Sequence, residues 1–265
     1  MLYKRVISGL LFLPIFYVVT WKLAPVYFAA LILVAVIVGQ YEFYRMVRVR
    51  NIKPQIVIGI VIGTLVVLET YHPLFIGLDM LLLAACLILI MVARLFSRQP
   101  VDSAIEDVAF TFLGVFYVAI LFSFQIVIRL GVDGKQWLVF LYLVIWASDI
   151  GAYAVGIPFG KHRLYVKISP KKSIEGLVGA LIASAGMALI CRAWFMPPIG
   201  LGEAVGIALL LAVVGTIGDL VESLFKRAVG VKDSGGIIPG HGGILDRMDS
   251  MLFAAPALYY VLTVR

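Results

Sequence analysis

Nine apolar runs, near residues 6–21, 25–40, 56–71, 77–95, 108–128, 137–157, 174–195, 203–225 and 249–264, succeed one another with short connections. Each approaches the roughly 20 residues that an α-helix needs to cross a hydrocarbon core about 30 Å thick. A soluble domain carries about 25% charged residues; here the share is 14%, against 63% hydrophobic. A transmembrane barrel would instead show short alternating strands. Lipid offers no partners to backbone N–H and C=O groups, so each lipid-exposed span must satisfy them within itself. The expected fold is an all-α polytopic membrane protein of about nine transmembrane helices. The first run follows Lys4 and Arg5 and lacks a small-x-small cleavage site, so it reads as a retained helix.

With nine helices, 17 of the 22 Lys/Arg fall at the N-terminus and in the even-numbered connections, and five on the other side. That asymmetry places the N-terminus in the cytoplasm. The net charge of +7 fits both this bias and attraction to anionic headgroups. Cys86 and Cys191 lie in apolar runs and read as packing residues. His72, His162 and His241 show no zinc spacing. No fixed-period repeat or soluble-sized loop interrupts the chain, so residues 1–265 read as one integral membrane domain. Its halves differ: 1–135 is an apolar scaffold, and 136–265 carries the chemistry.

Eight of the 15 carboxylates fall between residues 146 and 249. Asp149 sits about 18 Å from either end of its predicted helix. A charge at that depth must face a partner or a watery cavity. Ser148, Ala152, Gly156 and Gly160 form a small-residue stripe on the same helix, a device for close helix packing. Asp219, Glu222, Ser223 and Lys226 share one face of a later helix, with Gly215 and Gly218 keeping the neighbouring surface low.

Five of the twelve residues from Lys232 to Gly243 are glycine, which lets backbone N–H groups approach an anion. Asp246 and Asp249 follow on one face at a helix start, with Arg247 between them. A second connection, Gly160 to Gly176, holds Lys161, Arg163, Lys167, Lys171 and Lys172, together with Ser169, Ser173 and Glu175. Its Ser-Pro-Lys-Lys-Ser-x-Glu stretch can cap the next helix or hold phosphate. Carboxylates suit a cation; cations and glycines suit phosphates. Together they fit Mg²⁺-dependent phosphoryl or nucleotidyl transfer. No Walker or dinucleotide-binding glycine pattern is present.

Ser223, Lys226, Arg227, Lys232, Asp233, His241, Gly242, Gly243, Asp246, Arg247 and Asp249 stand in an order and spacing that resembles the signature of the phosphatidate cytidylyltransferase (CDP-diacylglycerol synthase) family. Ser-Asp-x-Gly-Ala-Tyr around Asp149 and Ser-Pro-Lys-Lys-Ser-x-Glu-Gly also look like that family. The resemblance implies CTP + phosphatidate → CDP-diacylglycerol + pyrophosphate in phospholipid biosynthesis. It implies Mg²⁺, with a second cation left open, and a multi-pass inner-membrane enzyme whose site faces the cytoplasm. Its partners would be CTP, phosphatidate and membrane lipids, with no nucleic acid; a homodimer is left open.

On this reading Asp219, Asp246 and Asp249 hold metal. Lys226, Arg227, Lys232 and Arg247 neutralise phosphate, while Ser223 and His241 contact substrate. Gly242 and Gly243 allow close backbone approach. Lys167, Lys171, Lys172 and Ser173 form a second phosphate wall. Asp149 marks a site floor or a second cation. Asp149 and Asp219 would then face one polar cleft, open to the cytoplasm and sideways to lipid. Two other readings compete: a CTP-dependent polyprenol or phytol kinase, and a cation-coupled transporter using Asp149 and Asp219. The kinase would move only the γ-phosphate, and the transporter would need a sealed vesicle. Transporters often pair broken helices in both halves, whereas the polar residues here gather in one.

Overall fold

The structure is a computed structural model and describes residues 14–73, 79–196, 199–236 and 242–265. Half of the first apolar run, residues 6–13, lies outside these residues; the described half is helical at 14–17 and runs into a π-helical turn at Val18–Lys22. The other eight runs each coincide with a helix. These are α1 (Pro25–Val47), α2 (Ile56–Tyr71), α3 (Asp79–Leu95), α4 (Ala104–Gly114), α5 (Leu121–Leu130), α6 (Gly134–Phe159), α7 (Ile174–Trp194), α8 (Leu201–Ala228) and α9 (Leu245–Val264). Helices α4 and α5 are one rod joined through a π-helical stretch, Val115–Ile120, so a single run yields two labels.

Five segments are long and apolar enough to cross a membrane: Pro25–Arg50, Val101–Leu130, Gly134–Phe159, Ile174–Trp194 and Leu201–Ala228. The chain is thus polytopic and helical, but fewer than the nine expected spans meet that standard among the described residues. The cause is length and charge. Helix α2 has 16 residues and rises only about 24 Å. Helix α9 has Asp246, Arg247 and Asp249 in its first turns.

The chain divides into two compact units. One comprises 1–130 with 228–247, the other 131–227 with 248–265. In the first, α1 packs on α2 and on the α4–α5 rod through buried polar groups. Gln40 Nε2 donates to the Gly59 carbonyl at 3.0 Å, and the Tyr44 hydroxyl donates to the Thr111 carbonyl at 2.9 Å. Gly59 and Gly114 leave the space that the Tyr44 ring fills; a Cβ on either would overlap the ring. An ion pair ties α3 to α4: Arg94 Nε lies 3.0 Å from Asp107 Oδ2, with both side chains buried. Asp107 also accepts from the Lys53 backbone N–H and the Ser103 hydroxyl. Both carboxylate oxygens therefore accept hydrogen bonds, which offsets the cost of burying such a charge.

In the second unit the predicted small-residue stripe forms the seam between α6 and α7. Gly156 and Gly176 meet face to face, and a Cβ on Gly151 would come within 2.5 Å of Ala183 and closer to the Gly179 carbonyl. The Gly160–Gly176 connection is not an irregular loop. It folds as an antiparallel hairpin of β1 (Arg163–Tyr165) and β2 (Ser169–Ser173). Ser173 then caps α7, its Oγ accepting from the Gly176 N–H at 3.1 Å, as its spacing suggested. Glu175 does not complete a capping box. It accepts from the Lys161 and His162 backbone N–H groups and meets His162 Nδ1 at 2.6 Å, closing the base of the hairpin.

Candidate functional site

Helix α8 and the basic hairpin meet within the second unit. Lys172 Nζ, at the end of β2, lies 2.6 Å from Asp219 Oδ2. Ser223, one turn along α8, donates to Asp219 Oδ1 at 3.3 Å. One turn offset, Lys226 Nζ lies 3.1 Å from Glu222 Oε1, and both residues are buried. The four residues placed on one face by their spacing thus form one ion pair, Lys226–Glu222, and one hydrogen bond, Ser223 to Asp219, while Asp219 takes its ammonium partner from the hairpin. Arg227 turns toward the hairpin and donates to the Ile168 carbonyl at 3.4 Å. Lys167 and Lys171 are exposed on the hairpin, so their ammonium groups keep their water while raising the local positive potential.

The glycines of α8 set the approach of α9. A Cβ at Gly218 would stand 2.6 Å from the Asp249 carbonyl, and one at Gly215 would press on Ser250 and Ile145. That proximity brings the Asp249 carboxyl under the charges of Asp219, Glu222 and Asp149. The electrostatic reach of Asp219, Glu222 and Asp149 thus extends to Asp249. Asp149 is exposed rather than sealed in the α6–α7 seam. Glu222, which the sequence marks only as part of the polar face and not as a site residue, lies within electrostatic range of Asp249.

In the first unit the glycine-rich segment is held by two carboxylates. Asp246 Oδ2 accepts from the Ser234 N–H and the Ser234 hydroxyl, each at 2.9 Å, and from the Gly243 N–H at 2.8 Å. Gly242 has φ +80°, a region that L side chains avoid, and a Cβ there would lie 2.7 Å from Asp246 Oδ2. Both glycines are thus needed by the turn itself, beyond any role toward an anion. Lys232 and Arg247 are exposed. His241 lies outside the described residues.

The second carboxylate is Glu42 of α1, which sequence reasoning assigned to the apolar scaffold half. It is 2% exposed, and its Oε2 accepts from the Leu245 N–H at 3.2 Å. The sequence signal was a lone carboxylate in a helix otherwise charged only at Arg45, close to Gln40 and Tyr44.

Carboxylate oxygens are the donors that a hard divalent cation prefers, and Asp149, Asp219, Glu222 and Asp249 supply them. Among the described residues, no three His, Cys, Asp or Glu side chains are grouped as ligands. Asp219 and Glu222 face Lys172 and Lys226 instead. The donor chemistry fits a divalent cation; the arrangement described is one of ion pairs.

The cytidylyltransferase family model matches residues 3–265. The chain is 34% identical over 272 residues to the phosphatidate cytidylyltransferase of Bacillus subtilis, covering 98% of this chain and 97% of that one. Over 156 residues it is 45% identical to the protein of that name from Staphylococcus saprophyticus and 43% to that from Staphylococcus haemolyticus, covering 59% of each chain.

Proposed function

The chain belongs to the cytidylyltransferase family, and from that premise we propose that it joins CTP and phosphatidate into CDP-diacylglycerol and pyrophosphate in the bacterial inner membrane. The observation that carries this reading is the end-to-end match to a phosphatidate cytidylyltransferase. The chemistry of α8, the hairpin and the glycine-rich segment supports it.

The phosphate of phosphatidate has a second pKa of about 6 and is largely dianionic near neutrality. One of its oxygens forms a bond to the α-phosphorus of CTP as the bond to the β-phosphate bridging oxygen breaks. Pyrophosphate leaves with that electron pair. No strong general base is required. The barrier lies in bringing two polyanions into line. Lys226, Arg227, Lys172, Lys167 and Lys171 supply positive charge in the second unit, and Lys232 and Arg247 in the first. Ser173 and Ser223 order the hairpin end and the α8 face on which those cations sit. Asp219, Asp246 and Asp249 are the residues that would hold Mg²⁺, and Asp149 is assigned to a second cation or to the site floor. Magnesium, when bound, neutralises the triphosphate oxygens. Gly242 and Gly243 keep the turn before α9 tight.

We further read all nine runs as spans, the three shorter or more polar helices included, and the whole chain as one membrane domain. The charge bias then faces the hairpin and the glycine-rich segment to the cytoplasm, where CTP is.

Purified protein in detergent tests this reading with CTP labelled in the cytidine or in the γ-phosphate. Cytidine label in chloroform-soluble product, with release of pyrophosphate, is the expected result. Lipid carrying only the γ-label would instead establish a kinase. Turnover of neither label would overturn the enzyme reading.

A further inference from the structure

Glu42 lies 203 residues before its backbone partner, the Leu245 N–H. Its carboxylate is wedged between the two ends of the glycine-rich segment. A Cβ on Gly235 would stand 2.5 Å from Glu42 Oε1, and one on Gly243 would stand 2.5 Å from Glu42 Oε2. The carboxylate therefore touches main chain on both arms of the loop where neither arm has a side chain. Asp246 binds the same two arms from another side, through Ser234 and Gly243. Beside Glu42 lies a cavity of about 270 Å³, bounded also by Arg45, Asp233, Ser234, Gly235 and Gly236.

Two consequences follow. The start of α9, by default a phosphate cradle, already has its Leu245 and Gly243 N–H groups engaged by protein carboxylates. The loop also cannot change its width at this level without moving Glu42. A helix is a stiffer platform than a loop, and a site held by one is held more closely.

We infer that Glu42 is a positioning residue for nucleotide binding: from α1 it sets the separation of Gly235 from Gly243, and so the aim of Lys232 on one side and of the Gly242–Gly243 backbone on the other. This rests on the proposed cytidylyltransferase reading and adds to it that Lys232 and the Gly242–Gly243 backbone serve CTP rather than phosphatidate. Glu42 touches no substrate; it acts through Gly235, Gly243 and Leu245.

Gly235→Ala offers a test aimed at the contact, because the three nearest atoms to the added methyl all belong to Glu42. Glu42→Gln removes the charge but keeps the volume, and Glu42→Ala removes both. CTP binding would be measured by equilibrium dialysis on full-length protein in detergent without phosphatidate. KM and kcat would be measured separately with phosphatidate present, and folding by the thermal melt.

Gly235→Ala and Glu42→Gln should each weaken CTP binding 5- to 20-fold and raise KM for CTP correspondingly. The KM for phosphatidate should change less than 2-fold and the melt should stay near wild type. In the Glu42→Ala background, Gly235→Ala should cost less than 2-fold more, since the added methyl then meets no carboxylate. Folded Glu42→Gln and Gly235→Ala proteins that bind CTP like wild type would overturn the inference, as would equal losses toward both substrates. If wild type itself neither binds CTP nor transfers cytidylate, the functional reading fails instead.

Discussion

The ammonium of Lys172 and the carboxylate of Asp219 lie 2.6 Å apart, joining the end of the basic hairpin to the first residue of the α8 polar face. Both side chains are partly open to solvent, so the pair adds little to stability. Its worth lies in where it holds the hairpin. Asp219→Asn should lower turnover by about 10²-fold or more, because a neutral amide is a poor partner for either a cation or an ammonium. Lys172→Gln should lower it by about 10-fold, mainly through KM. The double variant should be far from additive. Additive losses in steady-state assays would show that the two residues act separately.

Asp246 uses one oxygen for three donors, and an amide cannot replace all three charge-assisted bonds. Asp246→Asn should cut turnover by about 10²-fold or more while α9 persists. Trypsin should reach Lys232 faster in the variant than in wild type. Near-normal turnover of the folded variant at limiting Mg²⁺ would remove Asp246 from the metal-holding set.

Arg94 and Asp107 offer a contrasting case, a buried pair with no part in the proposed chemistry. Arg94→Leu should destabilise by about 3–5 kcal/mol, since it strands a carboxylate away from water. The Arg94→Leu/Asp107→Leu pair should recover much of that loss, because neither charge then remains. Melts in one detergent would read both. Equal melts for the single and double variants would show that Asp107 is adequately held by Lys53 and Ser103 alone.

Sidedness is tested by a cysteine at Gly236 after Cys86 and Cys191 are replaced. Impermeant maleimide should label it in inverted vesicles and leave it unlabelled in intact spheroplasts. Labelling from outside would reverse the proposed topology.

Much of this architecture was legible because apolar runs and helix starts are written locally. The stripe from Ser148 to Gly160 gave the α6–α7 seam, and Ser173 gave its cap. The α8 face was readable because Asp219, Glu222, Ser223 and Lys226 are neighbours by helical spacing. The hairpin was not, since its strands are only three and five residues long, too short for a period to register, and the longer one carries proline and two lysines without alternation. Closure of its base by Glu175 and His162 is a contact across thirteen positions, with no period to betray it. Glu42 is the furthest case. Its partners lie some two hundred residues away, and in its own helix it resembles an interfacial charge at a span's end. Among the described residues fewer than nine helices are long apolar spans, because charge intrudes at the start of α9 and proline shortens α2 at Pro54 and Pro73.

The seam between α6 and α7 has a consequence for how this chain can vary. A clash against a side chain can be relieved by trimming that side chain elsewhere in the sequence. Gly151 and Gly179 instead each face the other's carbonyl oxygen, and no codon change shortens a carbonyl. Suppressors at the point of contact therefore do not exist for the Gly179 carbonyl. A larger residue at position 151 must be absorbed by shifting a whole helix, and α6 carries Asp149 while α7 begins at the hairpin that presents Lys172. For a drifting lineage these two glycines are a ratchet: substitution is reached in one step, and the way back is reversion.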